Sequence, residues 1–179
     1  MSRRPVVVAL LVLGVVALSI VVVKVLDEVG DSEPNAGGLP ITEVLSRATP
    51  AVAPFEGLTE VHAAIGYDHC LRLAVADVTD ERAAGLRGHA ADLGPYDGML
   101  FVFDGPIESA FTMSGVDSPL AIAFFGADGA RNSSRAMKPC PEKAELACPA
   151  YRAEGPFSYA VETKPGDLPS GPLTACQPA

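Results

Sequence analysis

The sequence predicts an all-β domain, either a sandwich or a barrel with one short helix, that follows a single N-terminal transmembrane helix. Two observations predict this arrangement. The run from Val6 to Val23 contains 18 residues without a charged side chain, and the rest of the chain consists of short apolar segments separated by Gly, Pro and Asp turns. Short strands divided by such turns are typical of sandwiches and barrels. About 150 residues remain after the apolar run, enough for one domain.

The apolar run has the length of a membrane span. As a helix over residues 5–26 it covers about 30 Å, the thickness of the hydrocarbon core of a bilayer. Arg3 and Arg4 precede it and acidic residues follow it, so the positive-inside rule predicts a cytoplasmic N-terminus and export of the rest. We therefore predict that residues 1–26 form a cytoplasmic stub and a single-pass anchor in the cell membrane, whose partner is the lipid bilayer.

A cleaved signal peptide is the alternative to an anchor. Its apolar part would span only about 7–15 residues and would end at a small-x-small site. The one candidate site, Ala17-Leu18-Ser19, lies inside the apolar run. Either alternative exports the same domain.

The segment after the anchor, residues 27–54, is predicted to be a flexible linker. Residues 27–40 are acidic, rich in Gly and Pro, and almost free of residues to bury. Residues 41–55 are interrupted by proline too often for regular structure. The sequence thus predicts an extracytoplasmic domain over residues 55–179.

The exported part is strongly acidic. Residues 1–26 hold three of the 13 basic residues and none of the 22 acidic ones, so the remainder carries a formal charge of −12. Such a surface repels phosphate backbones and anionic headgroups, which argues against nucleic acid as a partner and against electrostatic docking on lipids.

All four cysteines, Cys70, Cys140, Cys148 and Cys176, lie on the exported side. An even count in an oxidising compartment predicts disulfides, with three possible connectivities. The most economical pairing joins Cys140 to Cys148 across a loop and Cys70 to Cys176. A metal site is the alternative, but the spacing of the close pair does not fit a zinc knuckle and no His lies nearby. We expect no metal and no cofactor.

The strands follow from alternation and from apolar runs. Residues 71–77 alternate as a half-buried strand does. Thr79 is the predicted N-cap of a short helix, with acidic residues in its first turn and Gly88 at its end. In the strand at 157–163, Phe157, Tyr159 and Val161 are expected on one face. The other predicted strands are 99–103, 109–113, 120–125, 130–137 and 173–176.

A series of motifs from about Cys70 to about Gly166 resembles the bacterial and archaeal family catalogued as domain of unknown function 192. The motifs are Ala76–Leu86, Asp97–Phe103, Phe111–Met113, Ser118–Phe124, Ala127–Gly129 and Tyr159–Glu162. Pro139-Cys140 and Cys148–Tyr151 are similar to a cysteine-bearing subset from high-GC Gram-positive bacteria. The resemblance implies a β-sandwich or jelly-roll-like domain, usually exported, without an established activity.

The chain departs from the family pattern at its polar positions. The typical Phe-Trp-Met-Lys-Asn-Thr is replaced by Phe111–Val116, and Ile-Pro-Leu-Asp-Ile by Ser118–Ile122. The typical Gly-Leu-Met-x-Arg becomes Gly85–His89. Because the apolar positions persist while the polar ones change, the resemblance implies the fold and leaves the function open.

The predicted ligand-binding residues are Glu81, Arg82, Phe111 and Met113. Each of the first two also has a structural explanation. Glu81 would be stabilised by the helix dipole at the start of the helix, and Arg82 would pack the aliphatic part of its side chain on the sheet. No catalytic residue is predicted, because His69 and His89 lack a nucleophile at a recognisable elbow.

We therefore predict a binding or structural module at the cell envelope, with a carbohydrate or protein partner. The alternative is a carbohydrate-acting hydrolase. That class would need two carboxylates about 5–10 Å apart in a cleft.

Overall fold

Ten β-strands and two short α-helices make up the part of the chain that the computed structural model describes, residues 40–66, 70–141 and 144–176. The predicted anchor at residues 1–26 lies outside these ranges. No helix within them is long and apolar enough to cross a membrane. The helices are α1 (Ile41–Leu45) and α2 (Thr79–Ala84), with a 3-10 turn at Glu145–Ala147. The strands are β1 (Thr49–Pro50), β2 (Thr59–Ile65), β3 (Cys70–Ala76), β4 (Gly98–Ile107), β5 (Ala110–Thr112), β6 (Leu120–Phe125), β7 (Arg131–Met137), β8 (Ala150–Arg152), β9 (Phe157–Thr163) and β10 (Leu173–Ala175).

Eight of these strands form one sheet in the order β1-β2-β3-β4-β9-β6-β7, with β10 paired to β2. The β3–β4 pair is parallel, and its crossover contains α2. The other pairs of the sheet are antiparallel. β5 and β8 form a separate two-stranded sheet. The predicted all-β class is therefore confirmed.

The turn between β6 and β7 contacts the strand at the opposite end of the sheet. The backbone N–H of Leu173 donates to the Gly129 carbonyl at 2.9 Å, and Arg131 donates to the Pro169 carbonyl at 2.8 Å. Gly129 has a φ of +78°, and a Cβ there would lie 2.3 Å from the Leu173 oxygen. Only glycine fits this close approach, so the sheet curls until its two ends touch.

Both faces of the sheet are buried. One apolar cluster, which includes Leu73, Leu100 and Val161, is covered by α1. The other includes Phe101, Met113, Phe124 and Phe157. β9 lies between β4 and β6, and all seven of its residues are buried. A strand in this position does not alternate between core and solvent, because each face meets a core.

The predicted common face of β9 is correct in part. Tyr159 and Val161 lie in the cluster beneath α1, whereas Phe157 lies in the opposite cluster. The β4–β9 register shifts between Val102 and Ile107, at the end of the ladder where Phe157 pairs. This irregularity accompanies the change of face.

Regular structure begins earlier than the prolines suggested. α1 follows directly after Pro40, and Ile41 and Val44 are buried against the sheet. A proline next to the helix start is compatible with the helix, because the first N–H groups of a helix have no intrahelical partner. α1 and β1 thus lie within the segment predicted as a linker. β1, β2 and β8 were not among the predicted strands.

Both predicted disulfides are present. Cys70–Cys176 and Cys140–Cys148 have Cα separations of 5.8 and 5.9 Å, and the residues that the structure describes contain no free cysteine. The first bridge links β3 to the residue after β10, across β2. The second closes a loop with a sequence separation of 8.

Candidate functional site

A cleft of about 260 Å³ opens between α2, the segment that follows it, β4 and β5. Its position follows from the sequence, because the parallel β3–β4 pair needs a crossover and this crossover carries α2 over one face of the sheet. The apolar lining comes mainly from Phe101, Phe103, Phe111, Met113, Val116 and Leu120. Three ionisable side chains also line the cleft: Arg82, Arg87 and Glu162.

Aromatic rings support the wall of the cleft. The Phe111 ring meets Phe101 edge-on, with the centroids 5.0 Å apart, and meets Phe124 at 5.7 Å. The Phe103 ring packs on Phe157 at 5.5 Å, nearly perpendicular. Edge-to-face contacts of this kind are favourable beyond their buried area. These contacts therefore fix the aromatic part of the wall in place.

Glu162 lies on the inner side of the cleft, one residue before the end of β9. It pairs with Met99 of β4 and Ile122 of β6, and directly paired residues point to the same face of a sheet. Met99 and Ile122 belong to the apolar cluster that also contains Phe101 and Met113. The Glu162 side chain therefore enters the cleft from the sheet.

The Glu162 carboxyl group is buried without a polar partner. The residue is 5% exposed, and no hydrogen bond or ion pair joins its side chain to any described residue. Burial disfavours the charged form and raises the pKa of Glu162 to about 8. At pH 7 the group is therefore neutral, with one O–H to donate.

Glu81 has a different place from the one predicted. Its Oε2 accepts from the backbone N–H of Asp77 at 3.1 Å and of Val78 at 3.3 Å. Val78, not Thr79, is the N-cap, and Thr79 is the first helical residue. Glu81 thus satisfies N–H groups at the start of α2 and does not line the cleft.

Arg82 lines the cleft and is anchored by the surrounding backbone. Its Nη1 donates to the carbonyls of Asp77 and of Val102, the latter at 3.0 Å. The guanidinium lies 5.1 Å from the centroid of the Phe103 ring, a cation–π contact. Of the four predicted ligand-binding residues, the structure brings Arg82, Phe111 and Met113 to the cleft.

The positions that depart from the family pattern contact one another. Arg87 Nε donates to the Ser114 carbonyl at 2.7 Å. The Gly115 N–H donates to the Cys140 carbonyl at 2.9 Å, and the Cys140 N–H donates to the Val116 carbonyl at 2.8 Å. The disulfide-closed loop and Arg87 thus both hold the segment that carries Met113 and Val116 along the cleft.

The ionisable groups do not assemble other kinds of site in the part of the chain that the structure describes. Glu162 is the one acidic residue that lines the cleft there. No group of three His, Cys, Asp or Glu side chains within the described ranges could hold a metal ion. The His89 ring packs on Phe55 at 5.3 Å, and His69 lies outside the described residues.

Sequence reasoning did not single out Glu162. It belongs to the motif Tyr159–Glu162, but an acidic residue in an alternating strand is usually expected on the solvent side. The signal was the run Phe157–Thr163, which holds one charged residue among apolar and small ones. Such a residue in a central strand must be buried.

Solved structures with similar folds come from two bacteria. A protein of unknown function from Novosphingobium aromaticivorans is 27% identical, with a TM-score of 0.58 over 71% of this chain and 93% of that chain. A proposed transcription regulator from Sinorhizobium meliloti is 22% identical, with a TM-score of 0.53 over 64% of this chain and 90% of that chain. The second similarity shows the fold alone. No curated protein matches the chain.

The family described as Uncharacterized ACR, DUF192, matches residues 61–170. This range runs from β2 past β9 and includes the whole lining of the cleft. The resemblance that the motifs indicated is confirmed, and the chain belongs to the DUF192 family.

Proposed function

We propose that the domain is a binding module of the cell envelope that holds a small ligand in the cleft beside α2. The observation that carries this proposal is the lining of the cleft: three phenylalanine rings and two guanidinium groups around a single buried carboxyl group. Ligand sites are typically concave and apolar, with a few placed polar groups that fix orientation. A single carboxyl group supports binding over glycoside hydrolysis, which uses two.

The envelope location is also a proposal. Two disulfides are typical of proteins in oxidising compartments, and the apolar run at residues 6–23 suits a single-pass anchor. In this arrangement the C-terminal domain lies outside the cytoplasm, where its ligand would come from an envelope carbohydrate or protein. A sandwich-type description is supported by the small β5–β8 sheet, whose Phe111 and Tyr151 pack against the cluster on one face of the main sheet.

Methionine methyl NMR tests the proposal, because the chain has few methionines and one of them lines the cleft. The full-length chain, labelled with ¹³C at the methionine methyls and kept in detergent micelles, is titrated with water-soluble probes: benzamide, benzoate and benzylamine. At least one probe should shift the Met113 signal. Met137, which is buried but does not line the cleft, is the internal control. If every probe leaves Met113 unchanged, the cleft is not a binding site for molecules of this size.

A further inference from the structure

We propose that the cleft binds an uncharged molecule with a small apolar body, through a carbonyl oxygen that accepts a hydrogen bond from the Glu162 carboxyl group. This inference rests on the proposed function, because it names the class of ligand for the same cleft. It goes beyond that function by assigning Glu162 the recognition of one chemical group.

The fixed position of Glu162 is the first argument. β9 is paired on both sides, with Met99 on β4 and Ile122 on β6 opposite Glu162. The backbone therefore cannot carry the carboxyl group out to solvent without breaking two ladders. The carboxyl oxygens are accessible from the cleft and have no hydrogen-bond partner among the described residues, so a molecule bound there can accept the O–H bond.

The charges around the cleft favour a neutral ligand. The Arg82 guanidinium lines it, so an ammonium group would lie near a cation. An anion would find both guanidiniums already engaged, Arg82 with the Asp77 and Val102 carbonyls and Arg87 with the Ser114 carbonyl. Placing either kind of ion against the phenylalanine rings also adds a desolvation cost. An uncharged carbonyl compound avoids both penalties.

The size of the cleft limits the ligand. About 260 Å³ lies just below the range of about 300–1,000 Å³ that is common for drug-sized ligands. The rings of Phe101, Phe103 and Phe111 offer faces and edges to an aromatic or branched group. A single ring, or an acyl group of similar bulk, matches this space.

The proton on Glu162 makes recognition depend on pH. Burial holds the pKa of Glu162 near 8, and only the protonated form donates to a carbonyl. The groups that pair with it from β4 and β6 are apolar, and the other charged groups that line the cleft among the described residues are Arg82 and Arg87. A ligand that needs the protonated form should bind about tenfold more weakly at pH 9 than at pH 7.

The test compares three probes of one shape and two variants. Benzamide, benzoate and benzylamine are titrated into the full-length chain in micelles, with the Met113 methyl as the signal and Met137 as the control. Benzamide should bind most tightly at pH 7 and lose about tenfold in affinity at pH 9. Glu162→Gln keeps an N–H donor and cannot ionise, so it should bind benzamide equally at both values of pH. Glu162→Leu removes the donor and should weaken binding about three- to tenfold.

The outcomes separate this inference from the proposed function. If no probe moves Met113, the binding module itself is rejected. If the probes bind but benzylamine or benzoate is preferred at pH 7, the cleft binds ligands and the neutral carbonyl assignment is wrong. Equal benzamide affinity in the wild type at pH 7 and pH 9 would also overturn the role of Glu162. If Glu162→Leu fails to fold, the pH dependence of benzamide binding to Glu162→Gln still tests the role of Glu162.

Discussion

The Tyr96 hydroxyl donates a hydrogen bond of 2.6 Å to the Glu60 carboxylate, which lies 36 residues earlier in the chain. Arg72 contacts the same carboxylate from β3, with Nη2 2.7 Å from Oε2, and its guanidinium lies 4.8 Å from the centroid of the Tyr96 ring. The backbone N–H of Val52 donates to the Tyr96 hydroxyl at 2.8 Å. This network links β2, β3 and the segments before β2 and β4.

Removal of the Tyr96 hydroxyl should therefore destabilise the domain. Tyr96→Phe leaves a buried carboxylate with one donor fewer and the Val52 N–H without its acceptor. We expect the free energy of unfolding to fall by about 1–3 kcal/mol, measured by chemical denaturation. Tyr151→Phe is the matched control, because the Tyr151 hydroxyl accepts one exposed hydrogen bond from the Lys138 N–H. Equal losses in the two variants would contradict the importance of the network.

The same carboxylate predicts a loss of stability in acid. Hydrogen bonds from Arg72, then that from Tyr96, hold the pKa of Glu60 below its usual value, against the opposing effect of burial. The folded state thus binds this proton less readily than the unfolded chain. The stabilisation is present above the unfolded pKa of 4.5 and is lost as pH falls through the lower folded value. Glu60→Gln should remove this part of the acid dependence in denaturation curves at pH 3–6. An unchanged slope would show that other carboxyl groups govern acid unfolding.

Glu162 predicts the opposite dependence. Its pKa is about 8 when folded against 4.5 for the unfolded chain, so the folded state keeps a proton that the unfolded state loses. Stability should fall by about 1.4 kcal/mol for each pH unit between these values and level off above pH 8. The stability of Glu162→Gln should lack this slope, so its free energy of unfolding should rise relative to that of the wild type as pH rises.

Denaturation at pH 5, 7 and 9 measures the difference. Glu154→Gln is the control, since Glu154 forms an exposed pair with Arg135 at 3.2 Å and should alter no slope. Parallel curves for the wild type and Glu162→Gln would mean that Glu162 is solvated.

The two disulfides should contribute unequally. Chain-entropy estimates give about 5 kcal/mol for a bridge with a sequence separation of 106 and about 2.5 kcal/mol for one with a separation of 8. Replacing Cys70 and Cys176 with Ser should therefore lower Tm more than replacing Cys140 and Cys148. Both effects should disappear in reductant, where the wild type melts like the variants. Equal melting temperatures of the wild type with and without reductant would contradict a stabilising role.

The predicted anchor gives a topology test in intact cells. After mild reduction, a membrane-impermeant maleimide should label the cysteines of the domain. A Ser2→Cys variant with the four native cysteines replaced by Ser should be labelled only after lysis. Labelling of Ser2→Cys in intact cells, or protection of the native cysteines until lysis, would reject the predicted orientation.

The strands with clear apolar patterns were predicted well. β3, β6 and β9 fall within a residue of their expected bounds, whereas β4 begins one residue early at Gly98 and continues four residues past its expected end, to Ile107. The pairing of the cysteines was also correct, because the shortest loop left one partner for Cys70. Local periodicity and turn residues carry this information within the sequence itself.

The site was harder to predict, because it depends on which strands become central. Burial of Glu162 follows from the position of β9 between β4 and β6, and no local pattern encodes that order. Glu81 accepts hydrogen bonds from the N–H groups of Asp77 and Val78. Its position in the first turn of the helix was compatible with this role and with ligand contact, so the sequence did not distinguish the two. Arg82 was predicted from the start of the short helix and Phe111 from the edge of a predicted strand, and both line the cleft.

The backbone bonds between Cys140 and residues 115–116 have a consequence for biogenesis. Cys140 also forms the disulfide with Cys148, so formation of this bond should fix the position of residues 115–116 along the cleft. In the proposed envelope location, a chain with reduced thiols should hold this wall of the cleft less firmly. The thiol oxidant of the compartment would then help to determine when the protein becomes competent to bind.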